Sequence, residues 1–165
     1  MTKSISAMTD VWKPHATVAA IVPTTIEGEQ RFLMVEEYSQ GKAVYNQPAG
    51  HLDPHESLLQ AVIRETREET ARDFEAEYIS GIYRWDQFPG GGEQRKRCFL
   101  RVAFVGKCSN HDPEQTLDDG IVRALWLSRD ELAAQPEKLR SPMVLRCIDD
   151  YLAGTRYPLD LITDI

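Results

Sequence analysis

Between Gly50 and Glu69 the chain sets a glycine, an arginine and four glutamates at spacings that gather carboxylates beside one helix. Glu65, Glu68 and Glu69 stand at i, i+3 and i+4, so a 3.6-residue period holds them within an arc of roughly 100°. Like charges at these spacings destabilise a helix by roughly 0.2–0.5 kcal/mol per pair, which points to a cation that holds them. Oxygen-only ligands suit Mg²⁺, with Mn²⁺ as a substitute. Glu65, Glu68, Glu69 and the backbone carbonyl of Gly50 are the candidate metal ligands, and Arg64 with Glu56 is the pair that would orient them. A divalent cation, a bound water and an acceptor for its proton are what hydrolysis of a phosphoanhydride needs. The competing reading is a solvated helix laced by Arg64–Glu68 and Glu68–Arg72 pairs, which leaves Gly50 and Glu56 without a purpose.

These residues need a helix that begins after Glu56 and a strand that delivers Gly50. Two starts compete: Asp53 followed by Pro54 and Glu56, or Ser57 with Gln60 three residues later, a capping-box pattern. We favour Ser57, which leaves Glu56 in the loop and gives an apolar stripe of Leu59, Val62 and Ile63 completed by Thr66 and Thr70. Strands are expected at 15–22 and 31–37, joined through a turn at Gly28, with a short extended piece at 43–47 before Pro48. Further strands are expected at 77–85, 97–105 and 121–127, separated by loops around Gly90–Gly92 and 109–120. Ser128 with Glu131 starts a short helix, and Ser141-Pro142 starts a terminal one packing Val144, Leu145, Ile148 and Leu152.

The chain has 165 residues, 42% of them hydrophobic, which suits one domain over residues 1–165. A net charge of −7 argues against nucleic acid as a partner. Cys98, Cys108 and Cys147 form no C-x-x-C pair, and no segment reads as a signal peptide or a membrane span, so a cytoplasmic protein with a small phosphorylated partner is expected. No feature specifies an oligomeric state.

The set Gly50, Glu56, Arg64, Glu65, Glu68, Glu69 resembles the signature of the Nudix hydrolases, G-x5-E-x7-R-E-U-x-E-E-x-G-U, where U is a bulky aliphatic residue. Thr66 replaces the first aliphatic residue, Arg72 the last, and Ala71 the second glycine, which makes a poorer left-handed helix cap. Stretches 12–17, 46–52, 139–142 and 156–159 resemble bacterial phosphatase members of the same family. The resemblance implies an α/β fold, a Nudix-type α/β/α sandwich with a mixed β-sheet. It also implies Mg²⁺-dependent release of phosphate from nucleoside tri- and diphosphates and thiamine-pathway pyrophosphates. It makes Glu65 and Glu69 the main metal ligands, Glu68 a further ligand or the general base, and Arg64 and Glu56 the orienting catalytic pair. A carboxylate from a distant loop assists in some members, which points to Asp118 or Asp119. Two other readings stay open: an ADP-ribose or ADP-sugar pyrophosphatase, and a non-catalytic nucleotide sensor on the same scaffold.

Arg95, Lys96 and Arg97 either meet substrate phosphates or form a solvated strand end. Tyr83, Trp85 and Phe88 either stack on a substrate ring or belong to the core. His51 and His55 flank the motif without the companions a zinc site requires. Substrate choice is expected to lie in the loops around Trp85, Arg95 and Asp119.

Overall fold

Residues 18–21 and 102–105 are buried without interruption, the pattern of strands covered on both faces. They lie at the centre of a four-stranded sheet. In the computed structural model, which describes residues 12–87 and 97–165, β1 (His15–Ile21) runs parallel to β7 (Arg97–Ser109) from His15↔Phe99 to Ile21↔Val105. β5 (Ala49–His51) pairs antiparallel with β1, and β6 (Asp73–Gln87) antiparallel with β7, giving the order β5-β1-β7-β6 and a mixed sheet. An antiparallel sheet is built on β3 (Glu29–Ser39), which pairs with β2 (Pro23–Ile26), β4 (Lys42–Asn46) and β8 (Ile121–Leu127).

Strand parity divides the core. Val18, Ala20 and Val22 of the first strand region join Val102 and Phe104 against Ala61 and Val62 of α1 (Leu58–Thr70). Ile21, Ala103 and Val105 point the other way, against Leu132 of α2 (Arg129–Ala133) and Val144, Cys147 and Ile148 of α3 (Met143–Leu152). Helices therefore cover both faces, and the α/β/α layering with a mixed sheet expected from the signature is what the chain adopts. Among the described residues no helix is long and apolar enough to cross a membrane.

Ser57 is the cap of α1: its Oγ accepts from Gln60 N at 3.1 Å, while Gln60 Oε1 accepts from Ser57 N at 2.8 Å. Losing such a cap costs about 1 kcal/mol. Ser57→Ala is expected to lower the melting temperature by about 2–4 °C in a thermal scan, and Ser57→Asp to recover most of it.

The helix is turned further inward than the apolar stripe suggested. Leu59 and Ile63 are exposed, while Ala61, Val62, Thr66 and Thr70 share the buried face with Glu65 and Glu69. Carboxylates occupy positions that the hydrophobic pattern alone gives to leucine and isoleucine. In α3 the buried residues are Met143, Val144, Cys147 and Ile148, while Leu145 is half-buried and Leu152 exposed, and Pro142, rather than Ser141, holds the cap position. Two strands were absent from the sequence reading. β2 closes a hairpin on β3 through Glu27 and Gly28, both at positive φ (52° and 82°), and β5 is only three residues long. β6 also begins at Asp73 instead of Glu77, because Asp73, Glu75 and Glu77 alternate with better covered residues along the edge of the sheet.

Candidate active site

The site is the seam between β5 and α1. Gly50 pairs with Val18, and a Cβ placed on it would overlap the Glu65 carboxylate, so the glycine leaves the room beside this strand that the carboxylate occupies. One turn on, Glu69 Oε2 accepts the Ala49 N–H at 2.9 Å. Glu65 is 8% exposed and Glu69 6%, which is rare for carboxylates without a full set of partners.

Arg64 ties the cluster together. Its Nε and Nη2 hold Glu56 as a fork (3.0 and 2.6 Å), its Nη1 donates to Glu65 Oε1 (2.9 Å) and Glu68 Oε2 (3.0 Å), and Nη2 also reaches the His51 carbonyl (3.1 Å). Glu56 lies in the loop before the cap, where the Asp53 N–H fixes its Oε1 at 2.8 Å. The Arg64 hydrogen bonds hold the Glu56 carboxyl below the usual range, and those bonds in turn raise the Arg64 pKa.

Glu65, Glu68 and Glu69 are each engaged through one oxygen, which leaves the second oxygen of each unclaimed among the described residues. Burial pushes Glu69 up to about 9 against the Ala49 N–H that opposes it, and the charges of Glu65, Glu37 and Asp118 push further. Burial also raises Glu65, against Arg64, with Glu68 and Asp118 adding to the rise. Among the described residues one guanidinium is thus shared by four carboxylates, those of Glu56, Glu65, Glu68 and, at 3.7 Å, Asp53, while Glu69 has none, an arrangement short of positive charge. Among the described residues no three histidine, cysteine, aspartate or glutamate side chains stand together as a ready-made metal cage. The physical reason is Arg64, which draws Glu65 and Glu68 to itself. The donor set still fits a hard divalent cation, since the unclaimed groups are all carboxylate oxygens.

The loop 110–120 closes the other end of α1. Asp112 N and Asp118 N donate to the carbonyls of Ala71 (2.9 Å) and Glu68 (3.0 Å), and Gln115 Nε2 donates at 2.7 Å to the Arg67 carbonyl, which also accepts the Ala71 N–H. Ala71 adopts the left-handed conformation (φ 54°, ψ 33°) in place of the signature glycine. That conformation costs roughly 1–2 kcal/mol, offset in part by the buried methyl, worth about 0.8 kcal/mol. Docking of this loop brings the charge of Asp118 to bear on Glu65 and Glu69, and Asp119, the other loop candidate, is exposed next to it.

Trp85 lines a pocket beside Gly50 and stacks on Phe99 (centroids 5.7 Å apart, 23° between planes). Tyr83 lines a separate groove and donates to Asp150 Oδ2 at 3.0 Å. Arg97 is exposed at the start of β7, and Arg95, Lys96, Phe88 and the Gly90–Gly92 loop lie outside the described residues. His51 meets His15 edge-on at 5.5 Å, its pKa lowered chiefly by burial, and His55 is exposed at φ 70°. Sequence reasoning passed over Glu37, Asn46, Arg101, Arg140 and Ser141, which line the pocket with Trp85. One signal was present: Arg101 is a lone charge inside the apolar run 98–105.

Comparison with known proteins places this geometry. Residues 13–146 match the family model described as NUDIX domain. Phosphatase NudJ of Escherichia coli (strain K12) is 38% identical over 157 residues, 93% of this chain and 94% of that protein. A NUDIX hydrolase from Nitrosomonas europaea superposes with a TM-score of 0.82 at 43% identity, covering 93% of this chain and 98% of that one. The NUDIX domain of Shewanella oneidensis NrtR, solved with ADP ribose, shares the fold at a TM-score of 0.62 and 17% identity, over 87% of this chain and 90% of that one.

Proposed function

The chain belongs to the Nudix hydrolases, and from that premise we propose that it releases phosphate from nucleoside tri- and diphosphates and from thiamine-pathway pyrophosphates, with Mg²⁺ at its carboxylates. The observation that carries this reading is the set of three glutamates each oriented through one oxygen with the other left open. Glu65 and Glu69 would hold the ion, with Glu68 as a further ligand or the base, and Gly50 leaves room for the Glu65 carboxylate beside β5. When bound, the cation supplies charge neutralisation at the phosphoryl oxygens and lowers the pKa of water.

The remaining work falls to the side chains. Glu68, with 43% of its side chain exposed on the rim, is the glutamate best placed to take the proton from attacking water. Arg64 and Glu56 keep Glu65 and Glu68 in register, and Asp118 adds a further anionic group from the loop. Water adds to the terminal phosphorus as its proton passes to the base, the anhydride P–O bond breaks with the shortened substrate phosphate as leaving group, and the attacked phosphorus is released as orthophosphate.

A panel of nucleoside di- and triphosphates, thiamine pyrophosphate, its pyrimidine precursor diphosphate and ADP-ribose, assayed for orthophosphate with and without Mg²⁺, tests the proposal. We expect Mg²⁺-dependent orthophosphate from the first groups. Two phosphorylated products from ADP-ribose, with no orthophosphate anywhere, would favour the pyrophosphatase reading. Binding without turnover across the panel, with Mg²⁺ and with Mn²⁺, would favour a sensor, the kind of ligand contact seen when NrtR was solved with ADP ribose.

A further inference from the structure

Asp118 reaches the carboxylate seam from residues 110–120, which join β7 to β8 with no helix or strand of their own. The place of its carboxylate therefore depends on what ties this connection down. Of the three bonds that dock the loop on α1, those of Asp112 and Asp118 come from backbone N–H groups, which almost any residue supplies. The third, from Gln115 Nε2 to the Arg67 carbonyl at 2.7 Å, is the shortest and the one a side chain makes. Only this bond depends on residue type.

Neighbouring groups turn Gln115 toward the helix. Asp112 Oδ1 accepts the Glu114 N–H at 3.1 Å, and the Asp112 carbonyl accepts the Gln115 N–H at 3.3 Å, a local turn of the kind aspartate favours. Arg67 also pairs with Asp73 at 3.0 Å and Asp112 at 3.5 Å, but both acids are about half exposed, and such pairs contribute little. The Gln115 bond is partly buried and so is the firmer tie.

Past Gln115 the chain is fixed again. Asp118 N meets the Glu68 carbonyl, Ile121 N takes the Asp118 carbonyl at 3.1 Å, and Tyr38 N of β3 takes that of Gly120 at 2.8 Å. Asp118 is thereby held between α1 and β3, at the helical turn that carries Glu65, Glu68 and Glu69, and its charge bears on the first and last of these. We propose that Gln115 is a positioning residue for the cation site: its bond to the Arg67 carbonyl docks the loop and keeps Asp118 beside the glutamates, where it strengthens their hold on a divalent cation. The inference rests on the reading of Glu65 and Glu69 as metal ligands. Gln115 acts through the loop alone.

Gln115→Met keeps the length of the side chain and removes its N–H donor, and its melting curve shows whether it folds. Hydrogen exchange at the Asp118 amide reads the docking, and is expected to quicken about fivefold, the worth of one net hydrogen bond. Calorimetric titration of the full chain with Mg²⁺, without substrate, reads the effect on the site. The Mg²⁺ dissociation constant is expected to rise about threefold to fivefold, since affinity can fall by no more than the docking on which it depends. Asp118→Asn should raise it about tenfold, and Gln115→Met added to Asp118→Asn should raise it no further. An unchanged Mg²⁺ affinity in Gln115→Met, or the same fold-loss repeated on the Asp118→Asn background, would overturn the proposal. Asp118→Asn alone decides if Gln115→Met does not fold, an unchanged Mg²⁺ affinity overturning the proposal and a weakened one supporting it. A wild type that binds no Mg²⁺ overturns the metal-ligand reading itself, so the two failures are told apart by which protein shows them.

Discussion

Gly50→Ala is expected to lower kcat/KM for phosphate release by about 100-fold or more while leaving the protein folded. The added methyl would overlap the Glu65 carboxylate, and the question is which partner gives way. Gly50 is held by its pairing with Val18 inside β5, and α1 is held by the Ser57 capping box at one end and the 110–120 loop at the other. The end of the Glu65 side chain is the softest element, so it swings out and the backbone stays. Thermal stability should therefore fall by only a few degrees, within the range of about 1–2 kcal/mol for a local rearrangement. Activity should fall much further, because Glu65 leaves Arg64 Nη1 and the seam, and misplacement by about 1 Å at a reacting centre costs on the order of 100-fold. Phosphate-release kinetics beside a melting curve separate the two effects. Turnover within threefold of the wild type would remove Glu65 from the proposed machinery.

What the sequence disclosed and what it hid divide along a physical line. The capping boxes at Ser57 and Ser128, the loop position of Glu56 and the strands expected at 121–127 and 15–22 follow from local rules of hydrogen bonding and periodicity, and they stand in the structure, the last ending one residue early at Ile21. The orientation of α1 followed from its apolar stripe only in part: Val62, Thr66 and Thr70 are buried as expected, while Leu59 and Ile63 are exposed. Glu65 and Glu69 are buried in place of these two, because α1 also faces β5 across the seam, a tertiary fact outside hydrophobic periodicity. The long start of β6 was hidden by its charged edge residues, and β5 by its length of three. The pocket beside Gly50 was the least legible part. Glu37, Asn46, Arg101 and Ser141 are dispersed over 105 positions of chain, from residue 37 to residue 141, and of these only Arg101, a charge inside an apolar run, stands out alone. The pairing of β3 with β4 sets Glu37 near Asn46, and the packing of the sheets and α3 brings Arg101 and Ser141 to the same pocket.

Glu69→Gln is expected to abolish Mg²⁺-dependent turnover and at the same time to remove a pH dependence of stability. Burial pushes Glu69 up to about 9 from an ordinary 4.5, so between these values the folded protein keeps a proton that the unfolded chain has released. The stability tied to that proton is complete below about 4.5 and drains away as pH rises toward 9. In EDTA, the wild type should melt at progressively lower temperature from pH 6 to pH 9, and Glu69→Gln, which cannot ionise, should show a shallower slope. Glutamine still offers a carbonyl oxygen to the Ala49 N–H, so the fold is preserved. A divalent cation needs the ionised carboxylate, so added Mg²⁺ should raise the wild-type melting temperature at pH 8 and leave that of the variant unchanged. Loss of a residue that merely supports a metal ligand costs about 10–100-fold, and loss of the ligand itself should exceed that range in kcat/KM. If Glu69→Gln kept both its Mg²⁺ shift and its turnover, the ion would have to be held by Glu65 and Glu68 alone. Arg64, which now engages one oxygen of each, would then be the residue that releases them.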